Sequence, residues 1–443
     1  MSHSRPLPGS ARRFAASTIT AFGRYRRFLR DRDASLLLGA GVLSAIGDWF
    51  NTVALIALAF NFGEGVLGVG GLLILRMLPR LILQGPAGIL VDKRPGRGLL
   101  ISIELIMAVI AASFALLYFV PSLWLAYALV VALESANTIA RPGFMVRLLA
   151  VVEPTQRPVA NGLYAMGITI AQFAGPLLGG LMLALIGTTP LFLVNGLTFV
   201  LIAAVVAKVR VGRLDPTSSP SSSEHVAPLP AGSYRELFRR ADVLGYIGLT
   251  VPTAALIQAT IAFFIVRAHD FGLGDGGTGP FFAAAAVGFF IGGAIAGAGI
   301  YQSPRALILV AAAEAVGLLA LVGFGLAGAY AMALLALVIS GIAAEISEVP
   351  AISYFQHRLP ERIFGRFYSL FTLSTAGGGL VGLLIGPLLG PRVGIPATLA
   401  LIALPGILAA SVLIILATRI DPEPRVTTTT RGPDDDRTGR VIA

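Results

Sequence analysis

The chain has 443 residues, of which 56% are hydrophobic and only 13% are charged, whereas a soluble protein carries about 25% charged residues. This composition excludes an ordinary soluble protein and predicts a polytopic membrane protein. Cysteine is absent and the four histidines are scattered, which excludes disulfides and thiolate sites and gives no metal cluster. The net charge of +10 follows membrane sidedness, so we do not expect nucleic-acid binding.

Apolar stretches dominate the chain after a basic start. Residues 1–34 are predicted to be a basic cytoplasmic tail. Twelve stretches of the ~20 residues needed to cross a bilayer follow, at 35–61, 66–91, 98–120, 123–148, 158–186, 189–209, 241–267, 278–300, 305–326, 329–356, 363–389 and 393–418. We interpret 35–209 as one six-helix bundle, 210–240 as a cytoplasmic linker rich in Pro and Ser, and 241–418 as a second six-helix bundle. Residues 419–443 lack apolar content and are predicted to be a disordered cytoplasmic tail.

Basic residues are distributed unevenly between the two sides of the predicted spans. Eight arginines precede residue 35, whereas the six loops on the opposite side hold two, Arg267 and Arg392. Because basic residues are enriched in cytoplasmic segments, we predict that both termini are cytoplasmic. The protein would then be a multi-pass protein of the cell membrane.

A five-residue sequence occurs twice, half a chain apart. Gly-Pro-Leu-Leu-Gly stands at 175–179 in the fifth predicted span and again at 386–390 in the eleventh. Intramembrane acids keep nearly the same offset, Glu104 with Glu314 and Glu134 with Glu345. We therefore predict an all-α membrane protein whose twelve transmembrane helices form two pseudo-symmetric six-helix bundles. Internal repeats of this kind are typical of secondary transporters.

The segment after the second span combines a glycine, an acid and several bases. Gly88 stands four residues before Asp92, and basic residues and a further glycine follow up to Arg97. This arrangement resembles the cytoplasmic signature of the major facilitator superfamily, with Pro95 before the final Gly-Arg. The resemblance implies that the acid lies against the amino-terminal end of the eleventh helix, where a carboxylate is favourable, and steadies the outward-open state. We expect a cytoplasmic gate formed by Gly88, Asp92, Lys93 and Arg97; the alternative is a loop that only sets topology.

The repeated Gly-Pro segment resembles the antiporter signature of exporters in that superfamily. Its small residues allow close helix packing. The alternative interpretation is that the motif serves helix packing alone. The antiporter-like motif comprises Gly175, Pro176, Gly179, Gly180, Gly386, Pro387 and Gly390. Residues 47–49 (Gly-Asp-Trp) and the stretch 161–180 further resemble the branch of macrolide and siderophore (enterobactin-type) exporters. The direction of export comes from this resemblance alone.

Ionisable side chains at mid-membrane depth are costly and usually functional. Asp48 and Arg76 lie at matching depth on consecutive spans, which predicts an ion pair, and Glu134 lies two turns before Arg141. We place Glu104 and its counterpart in the second half on spans that flank lipid, and rank them lower. The predicted substrate and proton pathway comprises Asp48, Asn51, Arg76, Glu134, Gln172, Gln258, Glu345 and Glu348. An acid whose contacts change with conformation can bind and release a proton; static ion pairs are the alternative.

No sequence motif for catalysis is evident. Neither lysine follows the glycine-rich turn of a P-loop. We expect no catalytic residue, metal or cofactor, and we do not expect the protein to be an enzyme.

We predict a monomeric secondary transporter that exports a hydrophobic drug-like compound, which could carry a positive charge, or a siderophore. The exchange with protons would proceed by alternating access, so the partners are substrate, protons and phospholipid. Two alternatives are a lysophospholipid or lipid flippase of the same fold and a non-transporting membrane scaffold or receptor.

Overall fold

The computed structural model describes residues 26–93, 97–209, 232–297 and 306–419. Twelve of its helices are long and apolar enough to cross a bilayer. They are α1 (Arg32–Ala59), α2 (Gly65–Lys93), α3 (Arg97–Ser113), α4 (Leu123–Val151), α5 (Arg157–Ile186), α6 (Thr188–Lys208), α7 (Ala241–Asp270), α8 (Thr278–Gly297), α9 (Ala306–Leu326), α10 (Tyr330–Arg358), α11 (Glu361–Val393) and α12 (Ile395–Arg419). The predicted all-α polytopic fold is therefore confirmed, and each predicted span coincides with one helix.

The predicted tails and linker fall mostly outside these ranges. Residues 1–25, 210–231 and 420–443 lie outside the described residues. Within the predicted linker, a short helix occupies Gly232–Leu237. The end of the predicted eighth span, 298–300, and the start of the ninth also lie outside the described residues.

Helix ends follow local sequence signals. The side chain of Asp31 accepts hydrogen bonds from the backbone N–H groups of Asp33 and Ala34, and so caps the start of α1. Gly187 and Gly394 have φ values of 77° and 84°, a left-handed conformation that glycine adopts without steric cost. Each of these glycines ends one long helix and allows the next to start at once, α6 after α5 and α12 after α11. A glycine with positive φ thus joins the last two spans of each half.

Helix packing follows one pattern in both halves of the chain. In the first half α1 packs on α5 and α6, α2 on α4, and α3 on α6. In the second half α7 packs on α11 and α12, α8 on α10, and α9 on α12. These are the same neighbours displaced by six helices, so the predicted pair of pseudo-symmetric six-helix bundles is confirmed.

The two bundles meet mainly through α5 with α8 and through α2 with α11. The meeting point lies at the end of the molecule that contains the π-helical segment Phe60–Glu64 and the connection 271–277. We call it the 60–64 end. Here Asn61 Nδ2 donates a hydrogen bond of 2.9 Å to Asp275 Oδ2. The same end brings Pro387 of α11 against Gly70 of α2. A cavity between the bundles is thereby closed at the 60–64 end.

Candidate functional site

A cavity of about 280 Å³ lies between the bundles. Helices α1, α2, α4 and α5 supply one wall, and α7 and α8 supply the other. Its lining residues are Ala45, Asp48, Trp49, Thr52, Ile56, Leu73, Arg76, Met77, Arg80, Arg141, Ile168, Gln172, Gln258, Ile261 and Phe282. The first wall is therefore charged, whereas the second is apolar except for one amide. This asymmetry suits a molecule with both a polar and an apolar part.

Glu134 is held behind the charged wall by two arginines from α2. Its Oε1 accepts a hydrogen bond of 2.6 Å from Arg76 Nε, and its Oε2 accepts one of 3.0 Å from Arg80 Nη2. Arg76 also donates to the hydroxyl of Thr52, which in turn donates to the backbone carbonyl of Asp48 at 2.6 Å. The Glu134 side chain is only 5% exposed. A buried carboxylate with two charge-assisted partners is a rigid element of the wall.

Asp48 pairs with Arg141, and the predicted ion pair between Asp48 and Arg76 is wrong. The distance from Arg141 Nη2 to Asp48 Oδ2 is 3.9 Å, too long for a direct hydrogen bond. The Nε of Arg141 instead donates to Asn137 Oδ1 at 3.3 Å. Arg76 turns to Glu134 because that carboxylate is within direct hydrogen-bond reach. Of the two acids, Asp48 therefore has the weaker interaction with an arginine.

Two aromatic rings and two amides complete the cavity. Trp49 and Phe282 face each other across the bundles with ring centroids 5.5 Å apart. The amide Nε2 of Gln258 lies 3.6 Å from the sulfur of Met77, and Gln172 lines the wall of α5. Of the residues predicted for the pathway, Asp48, Arg76, Gln172 and Gln258 line this cavity, whereas Glu134 lies behind its wall.

Besides Glu134, three predicted pathway residues do not line this cavity. Asn51 is 4% exposed and lies one turn after Gly47, which packs on Asn195 of α6. Asn51 is therefore buried in the packing of α1 and does not reach the surface of the cavity. Glu345 packs against Gly292 of α8, because α10 runs behind α8 as α4 runs behind α2. Glu348, one turn further along α10, is exposed.

Sequence analysis missed Arg80, which lines the cavity and binds Glu134. The sequence spacing could have predicted this residue, since Arg80 stands four residues after Arg76 and therefore lies on the same helix face. The aromatic wall was also missed, because a tryptophan and a phenylalanine in apolar spans do not stand out from ordinary packing residues.

A second, smaller cavity of about 50 Å³ adjoins the first. Its lining includes Asp48, Arg141 and Tyr164, together with Glu104 of α3. The expectation that Glu104 lies on a lipid-flanking span is wrong for its side chain, which faces the bundle interior and is 3% exposed as a residue. The reason is that α3 packs its acidic face against α4 and α6.

The glycines of the repeated motif allow helices to touch. A Cβ atom at Gly175 would lie 2.6 Å from the Cβ of Trp49, so α5 packs directly on α1. In the second half, a Cβ at Gly390 would lie 2.5 Å from the ring of Phe263, so α11 packs on α7 in the same manner. Gly180 instead faces α8 of the other bundle. The motif thus serves packing within each bundle and contact between bundles.

The predicted cytoplasmic gate is only partly described. The surroundings of Gly88 and the side chains of Asp92 and Lys93 are not described, and residues 94–96 lie outside the described residues. Arg97 begins α3 and is exposed. The gate therefore stays a prediction.

Comparison with known proteins agrees with the predicted fold. Residues 37–382 match the family model described as Major Facilitator Superfamily. The chain is 25% identical over 350 residues to the protein named "Putative bacilysin exporter BacE" of Bacillus subtilis (strain 168), covering 76% of this chain and 84% of that protein. The protein of the same name from Bacillus amyloliquefaciens matches with the same identity and coverage.

Solved transporters share the fold. The nucleoside transporter NupG has a TM-score of 0.66 at 10% identity and covers 88% of this chain and 100% of its own. A bacterial homologue of the human lysosomal transporter Spinster, inward-facing and unoccupied, has a TM-score of 0.62 at 18% identity, with 88% and 97% coverage. At these identities the similarity establishes the architecture, not the substrate.

Proposed function

Because the chain belongs to the major facilitator superfamily and is a multi-pass membrane transporter rather than an enzyme, we propose that it exports a small molecule in exchange for protons. Export is supported by the BacE relatives, which are named as exporters. The proposal places the protein in the cell membrane with both termini in the cytoplasm, on the basis of the arginine-rich segments.

Proton exchange is supported by a difference between the two acids of the site. Glu134 makes hydrogen bonds to two arginines and is shielded from the cavity. Asp48 lines the cavity, its side chain is 19% exposed, and its partner Arg141 is 3.9 Å away. A proton can therefore reach Asp48 without first breaking a direct hydrogen bond to an arginine. We assign the exchanged proton to Asp48 and a structural role to Glu134.

Alternating access gives the exchange its direction. Contacts between α5 and α8 and between α2 and α11 close the cavity at the 60–64 end. With the termini in the cytoplasm, this end faces outward, and the conformation is inward-facing. In this state the substrate enters from the cytoplasm, and competition between a donor group of the substrate and the proton for Asp48 couples the two movements.

The charges of the wall narrow the class of substrate. Three arginines, Arg76, Arg80 and Arg141, face two acids, Asp48 and Glu134. The side chains of Arg80 and Arg141 are 42% and 57% exposed, so they can bind a further anion. We therefore propose an amphipathic substrate, either a drug-like compound or a siderophore, with an acidic group for these arginines and an apolar part for Trp49 and Phe282.

A binding screen on the purified protein identifies the substrate class. Bacilysin, erythromycin, enterobactin and a lysophosphatidylglycerol are added to the protein in detergent, and the thermal unfolding midpoint is measured. A compound at about 100 times its Kd stabilises the native state by about 2.7 kcal/mol. An acidic or zwitterionic compound is expected to stabilise the protein and to lose this effect in Arg141→Gln. Stabilisation by the lysolipid alone would favour a flippase instead.

Transport in inverted membrane vesicles then tests coupling. The compound that stabilises the protein should accumulate in vesicles of wild type when a pH gradient is imposed. Asp48→Asn should bind the compound but lose the response to the gradient. Glu153→Gln, an exposed acid between α4 and α5, serves as the control and should transport normally. Accumulation by wild type that ignores the pH gradient would refute proton exchange.

A further inference from the structure

We propose that Glu104 is a second proton-binding group of the coupling site and that it exchanges its proton with Asp48 through the small cavity between them. The inference rests on the proposed function in one respect only, that Asp48 carries the exchanged proton. It assigns to α3 a part in coupling that neither the repeat nor the motifs of the sequence indicate.

The small cavity connects the two acids. Asp48 and Arg141 line both cavities, so this ion pair forms the partition between them. The volume of about 50 Å³ holds a few water molecules, since about 10–15 Å³ of such cavity volume accommodates one. It is too small for a drug-like molecule. A proton can therefore be held at Glu104 while a substrate occupies the large cavity.

Among the described residues, Glu104 has no hydrogen-bonding partner. Its Oε2 atom is buried and makes no hydrogen bond within the part of the chain that the structure describes. An ionised carboxylate without a partner is costly in a bundle interior. The group is therefore expected to hold a proton unless a cation or water turns toward it.

The charged and titratable groups around Glu104 come from three helices. Asp48 of α1, Arg141 of α4 and Tyr164 of α5 line the small cavity with it. Glu134, also on α4, is bound to the arginines of α2.

The remaining basic groups of the helices packed on α3 are engaged or distant. Arg147 of α4 donates to the carbonyl of Val209 at 2.8 Å, and Lys208 is the last residue of α6. Among the residues that line the small cavity, Arg141 is the cation that can serve either acid. A shift of Arg141 from Asp48 toward Glu104 would favour ionised Glu104 and protonated Asp48.

The exchange moves one proton and no other atom. The O–H bond of the Glu104 carboxyl breaks, a water in the small cavity relays the proton, and an O–H bond forms on Asp48. Arg141 then neutralises the carboxylate of Glu104. The reverse movement reloads Glu104 when Arg141 returns to Asp48. The partition between the cavities thus acts as the switch.

Infrared spectroscopy of the full-length protein in lipid tests this without any substrate. The C=O stretching band of protonated carboxyl groups is followed while the pH is varied, for wild type, Glu104→Gln, Asp48→Asn and Glu314→Gln. Glu314 is the matched control, because it is the acid at the corresponding position of the second half. Glu104→Asp is included so that a titrating group is retained if removal of the carboxyl harms folding, and thermal unfolding verifies each variant.

Three results are expected. A component of the band in wild type disappears as the pH rises and shifts in D2O, and Glu104→Gln removes it. Asp48→Asn changes the pH at which this component titrates, whereas Glu314→Gln leaves it unchanged. A band that is the same in Glu104→Gln, or that does not respond to pH or to Asp48→Asn, would overturn the proposal. Since no substrate is present, these outcomes stand apart from any failure of the proposed export.

Discussion

Gly180 of α5 and Gly279 of α8 touch backbone to backbone across the two bundles. A Cβ atom at Gly180 would lie 2.7 Å from the Cα of Gly279, and one at Gly279 would lie 2.5 Å from the carbonyl oxygen of Pro176. No side chain separates the helices at this point, so closure of the 60–64 end depends on the absence of side chains there.

A larger side chain at Gly180 should therefore open the 60–64 end. Gly180→Leu cannot be accommodated by side-chain movement, since the atoms in its way are backbone. The matched control is Gly162→Leu on the same helix, where a Cβ would meet nothing within 4 Å. Because the chain has no cysteine, spin labels at Tyr118→Cys and Leu326→Cys, both highly exposed, report the separation of the bundles.

Pulsed electron paramagnetic resonance of the doubly labelled protein measures this separation. Gly180→Leu should lengthen the distance between the two labels and shift the population away from the state closed at this end. Gly162→Leu should leave the distance distribution as in the unsubstituted protein. Equal distributions for both variants would mean that α5 and α8 do not control closure.

A polar contact joins the two bundles at the same end. Asp275 of the second bundle accepts a hydrogen bond of 2.9 Å from Asn61 of the first. Within the second bundle, the Oδ1 of Asp275 lies 3.2 Å from His269 Nε2. Because the Asn61 contact links the bundles, Asn61→Ala should lower the fraction of molecules that are closed at the 60–64 end.

The same pair of spin labels measures this fraction. The population with the short distance should fall in Asn61→Ala, because Asp275 loses its hydrogen-bond donor from the other bundle. His269→Gln keeps the Asn61 donor and should change the distance distribution less. A distribution in Asn61→Ala equal to that of the unsubstituted protein would mean that this contact does not hold the end closed.

The architecture was predictable because the signals are repetitive. Twelve apolar stretches, two copies of Gly-Pro-Leu-Leu-Gly and a biased distribution of arginine each report on many residues at once. The structure confirms the twelve helices and the two bundles, and the Gly390 and Gly175 contacts show why the motif recurs: each copy packs one helix of its bundle on another.

The pairing of charges was less predictable, because it depends on rotation of the helices about their axes. Matching depth indicated Asp48 with Arg76, whereas the rotation of α2 turns Arg76 toward Glu134 and adds Arg80. Glu104 was placed beside lipid for the same reason, since depth alone does not tell which side of α3 faces inward.

The last prediction concerns Glu134, for which we assign a structural role. Glu134→Gln keeps the size of the side chain but leaves Arg76 and Arg80 without their carboxylate. Breaking a buried pair costs about 3–5 kcal/mol, and the arm to Arg80 contributes less because that side chain is 42% exposed. Thermal unfolding should therefore show the largest loss of stability for Glu134→Gln, an intermediate loss for Arg76→Gln and a small loss for Arg80→Gln.

A double variant tests the same role of Glu134. Arg76→Gln/Glu134→Gln should lose less stability than the sum of the two single losses, because the two residues interact directly. Additive losses, or an Arg80→Gln variant as unstable as Glu134→Gln, would contradict the structural role that we assign to Glu134.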